Sequence, residues 1–230
     1  MRDIFFSISM ILLTLVIYFV VSSLYKRYPL PILLPILSGT VLMIIILVSL
    51  GISYDKYMEG GQFITSLLGP TVVALAYPLY KQRDFLKKYL FTIIGGAFIA
   101  TLTAMLSVGL LGKALRIDSA LIISMLPKSL TTPVAIEVAK VLEGNASMAV
   151  VGVTITGIFG VIISPYIFKY LRIYTSIGRG IALGGTSHAM GTAKAAEYDE
   201  LAFSISSITM SICAIIGSII GPLIVWILQM

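Results

Sequence analysis

Charge is what this chain has least of. Asp, Glu, Lys and Arg together make up 11% of it, where a soluble domain carries roughly 25%. A chain so poor in charge cannot cover a water-facing surface, and its nature is that of an integral membrane protein. Cysteine is nearly absent too: Cys213 is alone, which excludes an internal disulfide and a cysteine-ligated metal site. The one histidine, His188, has no second cluster of ligands around it in the sequence, so zinc is not expected and no metal site is assigned. There is no glycine-lysine phosphate loop to hold ATP. Ser187 and His188 are adjacent; on a helix their side chains diverge, so no serine-histidine dyad is implied. No catalytic residue, no enzyme activity and no cofactor is expected. The net charge of +6 comes with no arginine-aromatic surface, and nucleic acid is not expected as a partner. The basic residues lie in loops between apolar runs, where they set orientation in a membrane.

What is there is apolar length. The 230 residues are 58% hydrophobic, with mean hydropathy +1.04. That allows roughly six to eight spans of ~20 residues and leaves no room for a soluble domain. One transmembrane domain is expected over 1–230, its first four spans within 1–112 at about 4–24, 32–52, 63–80 and 89–111. The first run is too long for a signal-peptide core and no small-x-small cleavage site follows, so it reads as a retained span. Pro29, Pro31 and Pro35 separate it from the second, and Gly69-Pro70-Thr71 sits inside the third. Two further clean spans lie at about 146–170 and 203–228.

Between these, two segments are interrupted. One, 119–141, is broken at Leu126-Pro127-Lys128-Ser129-Leu130-Thr131-Thr132-Pro133; the other, 181–197, carries Gly184-Gly185-Thr186-Ser187-His188. The helix after each contains a repeat: 155–165 and 212–222 agree at six of eleven positions, among them Gly160/Gly217 and Pro165/Pro222, at an offset of 57. Two repeat units follow, 119–170 and 181–228. Loops 25–28, 81–88 and 169–179 carry +2, +3 and +3, and the positive-inside rule puts them in the cytoplasm of a multi-pass protein of the inner or plasma membrane. Helix 146–170 must then start outside, so 119–141 enters and leaves on one side. Lys113 and Arg116 run against that count, and were 119–141 one ordinary span the parity would fail. The expected fold is all-α and polytopic: about six full spans, plus two re-entrant or broken segments in an inverted repeat, the design of secondary transporters.

Irregular backbone survives in a membrane only where protein or water satisfies it, so such segments line sites. Thr132 is a natural cap with Pro133 at the first helical position. In the second segment Gly184-Gly185 is expected to break the chain, Thr186 or Ser187 to cap, and a half-helix to run on to Glu197. Two helix starts facing across a cavity would bind an anion through free N–H groups and hydroxyls. The candidate binding residues are Ser129, Thr131, Thr132, Thr186, Ser187, His188, Gly191, Thr192 and Lys194. On one helix, Ser187, Gly191, Lys194 and Tyr198 would share a face. Lys128 and Glu137 are candidates for charge tuning or coupling, Glu137 by pairing with Lys194 or His188 or by taking a proton. Blander readings stand beside these: Lys128 and Lys140 snorkelling to an interface, Glu197 in an acidic loop with Asp199 and Glu200, and the small residues as helix-packing surface.

The stretches Gly184-Gly185-Thr186-Ser187-His188-Ala189-Met190-Gly191-Thr192-Ala193-Lys194-Ala195 and Pro127-Lys128-Ser129-Leu130-Thr131-Thr132-Pro133-Val134-Ala135 resemble the LrgB/CidB family, as does Gly69-Pro70-Thr71-Val72-Val73-Ala74-Leu75-Ala76-Tyr77-Pro78-Leu79-Tyr80. The resemblance covers essentially the whole chain and implies two different things. One is an antiholin-like or holin-like regulator of murein hydrolase export and autolysis. The other is a carrier of small monocarboxylates, as in bacterial pyruvate uptake and a plastid glycolate/glycerate transporter. It also implies a small membrane partner of the LrgA/CidA type. The residues themselves favour a carrier of a small carboxylate anion in the lipid bilayer; a homo-oligomer is expected, and the sequence does not give its size. The coupling ion, H+ or Na+, is left open.

Overall fold

A computed structural model describes residues 2–28, 33–67, 70, 73, 76–81 and 83–230. Among these the chain is helical, with no strand. It divides into two compact units, Met1–Ala74 and Leu75–Met230. Among the described residues four helical stretches are long and apolar enough to cross a membrane: Phe5–Arg27, Lys87–Ala114, Ala146–Tyr170 and Glu200–Ile227.

The first unit holds α1 (Arg2–Arg27), α2 (Pro35–Ser49) and α3 (Tyr54–Ser66). Pro35 sits in the first turn of α2, where its missing N–H costs nothing. The Ser53 hydroxyl accepts from the Lys56 amide at the start of α3. Ile17 and Val21 of α1 pack with Met43 of α2. The expected second span is realised as a helix of only 15 residues. Pro29, Pro31, Gly69 and Thr71 lie outside the described residues.

The second unit runs α4 (Ala76–Lys81), α5 (Arg83–Ala114), α6 (Ser119–Met125), a 3-10 turn (Leu126–Ser129), α7 (Thr132–Val141), α8 (Ala146–Tyr170), α9 (Ser176–Ala195) and α10 (Glu200–Ile227). Polar caps start its helices where the sequence supplies Asp, Asn or Thr. Asp118 accepts from the Ala120 amide, Asn145 from Met148, Thr175 from Gly178 and Asp199 from Ala202.

The first interruption is extended backbone at Leu130 (φ −98°, ψ 170°) and Thr131 (φ −66°, ψ 146°). The second is not at Gly184-Gly185. Both glycines stay helical, and the break falls at His188, with φ 42° and ψ −127°. Those glycines serve close approach instead. A methyl group at Gly184 would run into the Ser206 carbonyl of α10, and one at Gly185 would meet Ala100 of α5 at 2.8 Å.

At His188 the chain turns back on itself. A straight helix of 20 residues spans about 30 Å. Here Ser176 donates to the Asp199 carboxylate at 2.9 Å, and the Arg179 guanidinium lies 4.6 Å from the Tyr198 ring. Gly191 on the returning arm presses on the Leu183 carbonyl of the outgoing arm. The first interrupted segment folds likewise: the Asn145 amide, beyond α7, donates to the Ser124 hydroxyl of α6 at 2.8 Å. Hairpin one is therefore α6, the 3-10 turn and α7; hairpin two is α9.

The two hairpins match at several positions at the offset of the sequence repeat, although the second returning arm ends three residues earlier on that offset, at Ala196 against Leu142. Asp118 and Thr175 are both N-caps, Thr131 and His188 are both breaks, and Leu171 and Leu228 are both C-caps. Arg172 and Gln229 both take left-handed backbone, φ 56° and 49°. The cross-contacts match as well. Leu130 at the tip of hairpin one seats on Gly217 of α10; Ser187 at the tip of hairpin two seats on Gly160 of α8. The bases of the hairpins lie at opposite ends of this pair. Leu142 of hairpin one meets Gly221 in the last third of α10; Leu183 and Ala195 of hairpin two pack with Phe168 near the end of α8.

Gly184 tests this packing. Gly184→Ala is expected to lower stability by about 1–3 kcal/mol, the usual cost of overpacking a filled interior. Gly95→Ala, with open space around the position, should leave it unchanged. Thermal melts of the detergent-solubilised chain read both.

Candidate functional site

The tips of the two hairpins meet: the Leu126–Ser129 turn packs against α9. Ser129 and Thr131 at the first tip are buried, as are Ser187 and His188 at the second. The His188 ring is held between the Val153 backbone and Gly157 of α8. Lys128 is near enough to act on it electrostatically. His188 is 2% exposed, and its Nε2 has no hydrogen-bond partner. A buried polar atom left so is costly. Together with left-handed backbone at a non-glycine residue, it marks a strained position of the kind found at functional sites.

Beside the tips a groove of about 440 Å³ runs between α8 and the outgoing arm of hairpin two. Lys128 stands at one end, with Thr156, Gly160, Ser164 and Thr186 along it and Ile155, Phe159 and Ile163 as apolar wall. Lys128 is its only charged lining residue, and it makes no ion pair among the described residues. The Thr186 hydroxyl donates to the Ala182 carbonyl at 2.7 Å and lies 3.3 Å from the Ser187 hydroxyl. Thr156 and Ser164 were not among the residues expected from sequence. They lie inside the repeated isoleucine-glycine run, whose pattern reads as packing.

At the start of α7 the cap is Thr131, not Thr132, and its side chain makes no capping bond. First-turn amides of a helix have no partner within it, and here no hydroxyl takes them up. The returning arm of hairpin two is shorter than expected. It begins only after His188 and ends at Ala195, so its dipole is small.

Several expected partnerships are redirected by the hairpin. Ser187 lies on the outgoing arm, while Gly191, Lys194 and Tyr198 come after the turn, so they do not share one helix face. Gly191 makes room for Leu183 of its own hairpin rather than for a ligand. The Thr192 hydroxyl is taken by Ser206 at 3.0 Å. Glu137 pairs with neither Lys194 nor His188. It is exposed and bonds Lys140 at 2.8 Å, one turn along its own helix. Lys194 bonds Glu197 in the same i,i+3 way. These pairs occupy equivalent repeat positions with the signs exchanged. Among the described residues no group of three His, Cys, Asp or Glu side chains could hold a metal.

Residues 14–227 match the LrgB-like family. The chain belongs to that family. It is 51% identical over 221 residues to YxaC of Bacillus subtilis, covering 96% of each chain. To the holin-like protein CidB of Staphylococcus aureus it is 38% identical over 225 residues, 98% of each. The holin-like protein CidB of Staphylococcus epidermidis is 36% identical over 219 residues, 95% of this chain and 96% of that one. No solved structure matches. The family and the apolar helices together make this LrgB-like chain a membrane protein.

The exposed Glu137–Lys140 pair gives a direct test. Isolated exposed pairs contribute about 0–1 kcal/mol, so Glu137→Gln should leave the melting midpoint within a degree or so and ligand binding unchanged. A loss of binding at constant stability would return Glu137 to the site.

Proposed function

We propose that this LrgB-like protein is a carrier of small monocarboxylates such as pyruvate, glycolate or glycerate. The observation that carries the reading is the groove at the hairpin tips, with one unpaired lysine, short hydroxyl side chains and an apolar wall. A single cation balances one carboxylate, and the apolar wall suits a two- or three-carbon body. Lys128 supplies the charge, Thr156 donates its hydroxyl, Thr186 and Ser164 donate theirs on leaving the Ala182 and Val161 carbonyls, and the uncapped start of α7 at Thr132 offers amides. Ser129, Thr131, Ser187 and His188 form the floor behind them. Glu137, Gly191, Thr192 and Lys194 shape and hold the hairpins, with no contact to the ligand.

In this reading the hairpins dip into the plasma membrane from opposite faces, and the units 119–170 and 181–228 have inverted topology. Hairpin geometry, opposite bases and matched cross-contacts support it. Interrupted helices at the midplane of inverted repeats are how secondary transporters build their sites. A proton or sodium ion couples the movement, and a second copy together with a small LrgA/CidA-type chain completes the assembly.

A second reading is favoured by the relatives' names. Proteins called holin-like CidB match over nearly the whole length, which supports a regulator of murein hydrolase export with pore-like behaviour. Proteoliposomes separate the two. A carrier takes up labelled pyruvate with saturation and retains large dyes; a pore releases the dyes. Lys128→Gln should raise the half-saturating concentration about ten- to a hundredfold, the loss of one charge-assisted hydrogen bond. Unchanged uptake in that variant would remove Lys128 from the site.

A further inference from the structure

The open groove has an internal counterpart that is shut. Moving along the repeat by 57 positions takes Thr156, Gly160, Ile163 and Ile167 of α8 to Cys213, Gly217, Ile220 and Ile224 of α10. The same shift backwards takes Leu183 and Thr186 of hairpin two to Leu126 and Ser129 of hairpin one. The first set lines the groove. The second set is closed over. Ile163 is 37% exposed and Ile220 9%; Ile167 is 44% exposed and Ile224 2%. Leu126, Leu130, Ile220 and Ile224 form one core, with Met105 of α5 among them.

This shut face is not a plain apolar core. The Thr101 hydroxyl of α5, 2% exposed, has only a weakly bonding thiol as its polar neighbour. It lies beside the Cys213 thiol, the repeat mate of Thr156. Ser129, at the tip of hairpin one, is buried as well, at 6%. A thiol is a poor partner for a desolvated hydroxyl, and this thiol also donates to the Ala97 carbonyl at 3.6 Å; the pair stands at the position where the open groove carries Thr156. The tip of hairpin one sits between the two faces. Lys128 lines the open groove, and its neighbour Ser129 is the mate of the groove-lining Thr186. The mate of Lys128 is Gly185, so the shut face brings no cation of its own, and one lysine serves both.

We infer that this chain has a second carboxylate groove, between α10 and hairpin one, shut in this structure and opening toward the opposite end of the unit. It is lined by Ser129, Cys213, Thr101 and Gly217, and it opens when Leu126 and Leu130 leave Ile220 and Ile224. The open groove extends toward Phe168 and the basic loop at 169–179; the second extends toward Leu142 and the end of α10. The inference rests on the carrier reading, since it gives the same anion an exit.

Cys213 is the one cysteine of the chain and reports on the second groove without engineering. The full chain in proteoliposomes is treated with N-ethylmaleimide while pyruvate uptake is followed in the same preparation. Thr156→Cys in a Cys213→Ala background marks the open groove. Ser207→Cys in that background is the control for general loosening, because Ser207 is wholly buried on α10 and bonds the Phe203 carbonyl. Cys213 is expected to react about tenfold or more faster than the Ser207→Cys control, the mark of a local opening rather than global unfolding. Pyruvate should alter the Cys213 and Thr156→Cys rates in opposite directions. Cys213 that stays unlabelled while uptake proceeds overturns the second groove and leaves the carrier standing. Equal labelling of Cys213 and the control also overturns it. Selective labelling of Cys213 without any uptake keeps the groove and removes the carrier; no labelling and no uptake removes both.

Discussion

The constraint on which the structure turns is the satisfaction of backbone polar groups away from water. A helix that stops inside a membrane leaves N–H and C=O groups without partners, at a cost of several kcal/mol for each one left bare to lipid. Helices are interrupted twice within apolar stretches of this chain, at Thr131 and at His188. Both are placed where other protein closes around them. Each tip rests a side chain, Leu130 or Ser187, on a glycine of a long helix, Gly217 or Gly160, and the missing Cβ makes the room for it. The serines of α10 follow the same logic. Ser204, Ser207 and Ser211 bond carbonyls one turn back, so a hydroxyl-rich helix lies against hairpin two with those donors satisfied. Against this background the unpartnered His188 Nε2 stands apart.

Much of the frame was legible in the sequence, because apolar length, proline and the repeat are strong signals. The long helices at 89–111, 146–170 and 203–228 lie where hydropathy puts them. Pro127 and Pro133 mark the first interruption within a few residues. The repeat offset, read from a handful of isoleucines, glycines and prolines, also relates caps and left-handed residues that share no identity, such as Asp118 with Thr175.

The site was less legible, for physical reasons. Gly184-Gly185 looks like a break because glycine tolerates any backbone; it is instead a contact surface, and a histidine takes the unusual dihedral angles. Nothing local in Ser187-His188-Ala189 announces that, because the surrounding contacts impose it. The reversal at His188 also undid each face assignment that assumed one continuous helix, which is why Lys194 and Ser187 part company. Glu137 looked functional because it is ionisable in an apolar run, yet Lys140 one turn away is enough to occupy it. Thr156 and Ser164 were hidden in a run that also packs.

The two exchanged ion pairs have an electrical consequence. Glu137–Lys140 and Lys194–Glu197 each sum to zero charge within a single short arm. An arm that moves along the membrane normal therefore carries no net charge through the transmembrane field, where one elementary charge is worth about 2.3 kcal/mol per 100 mV. In the carrier proposed here Lys128 is the charge at the ligand groove, and a bound monocarboxylate cancels it. The anion then gives the field nothing to act on at the groove, and the voltage dependence of the loaded step falls to the coupling ion.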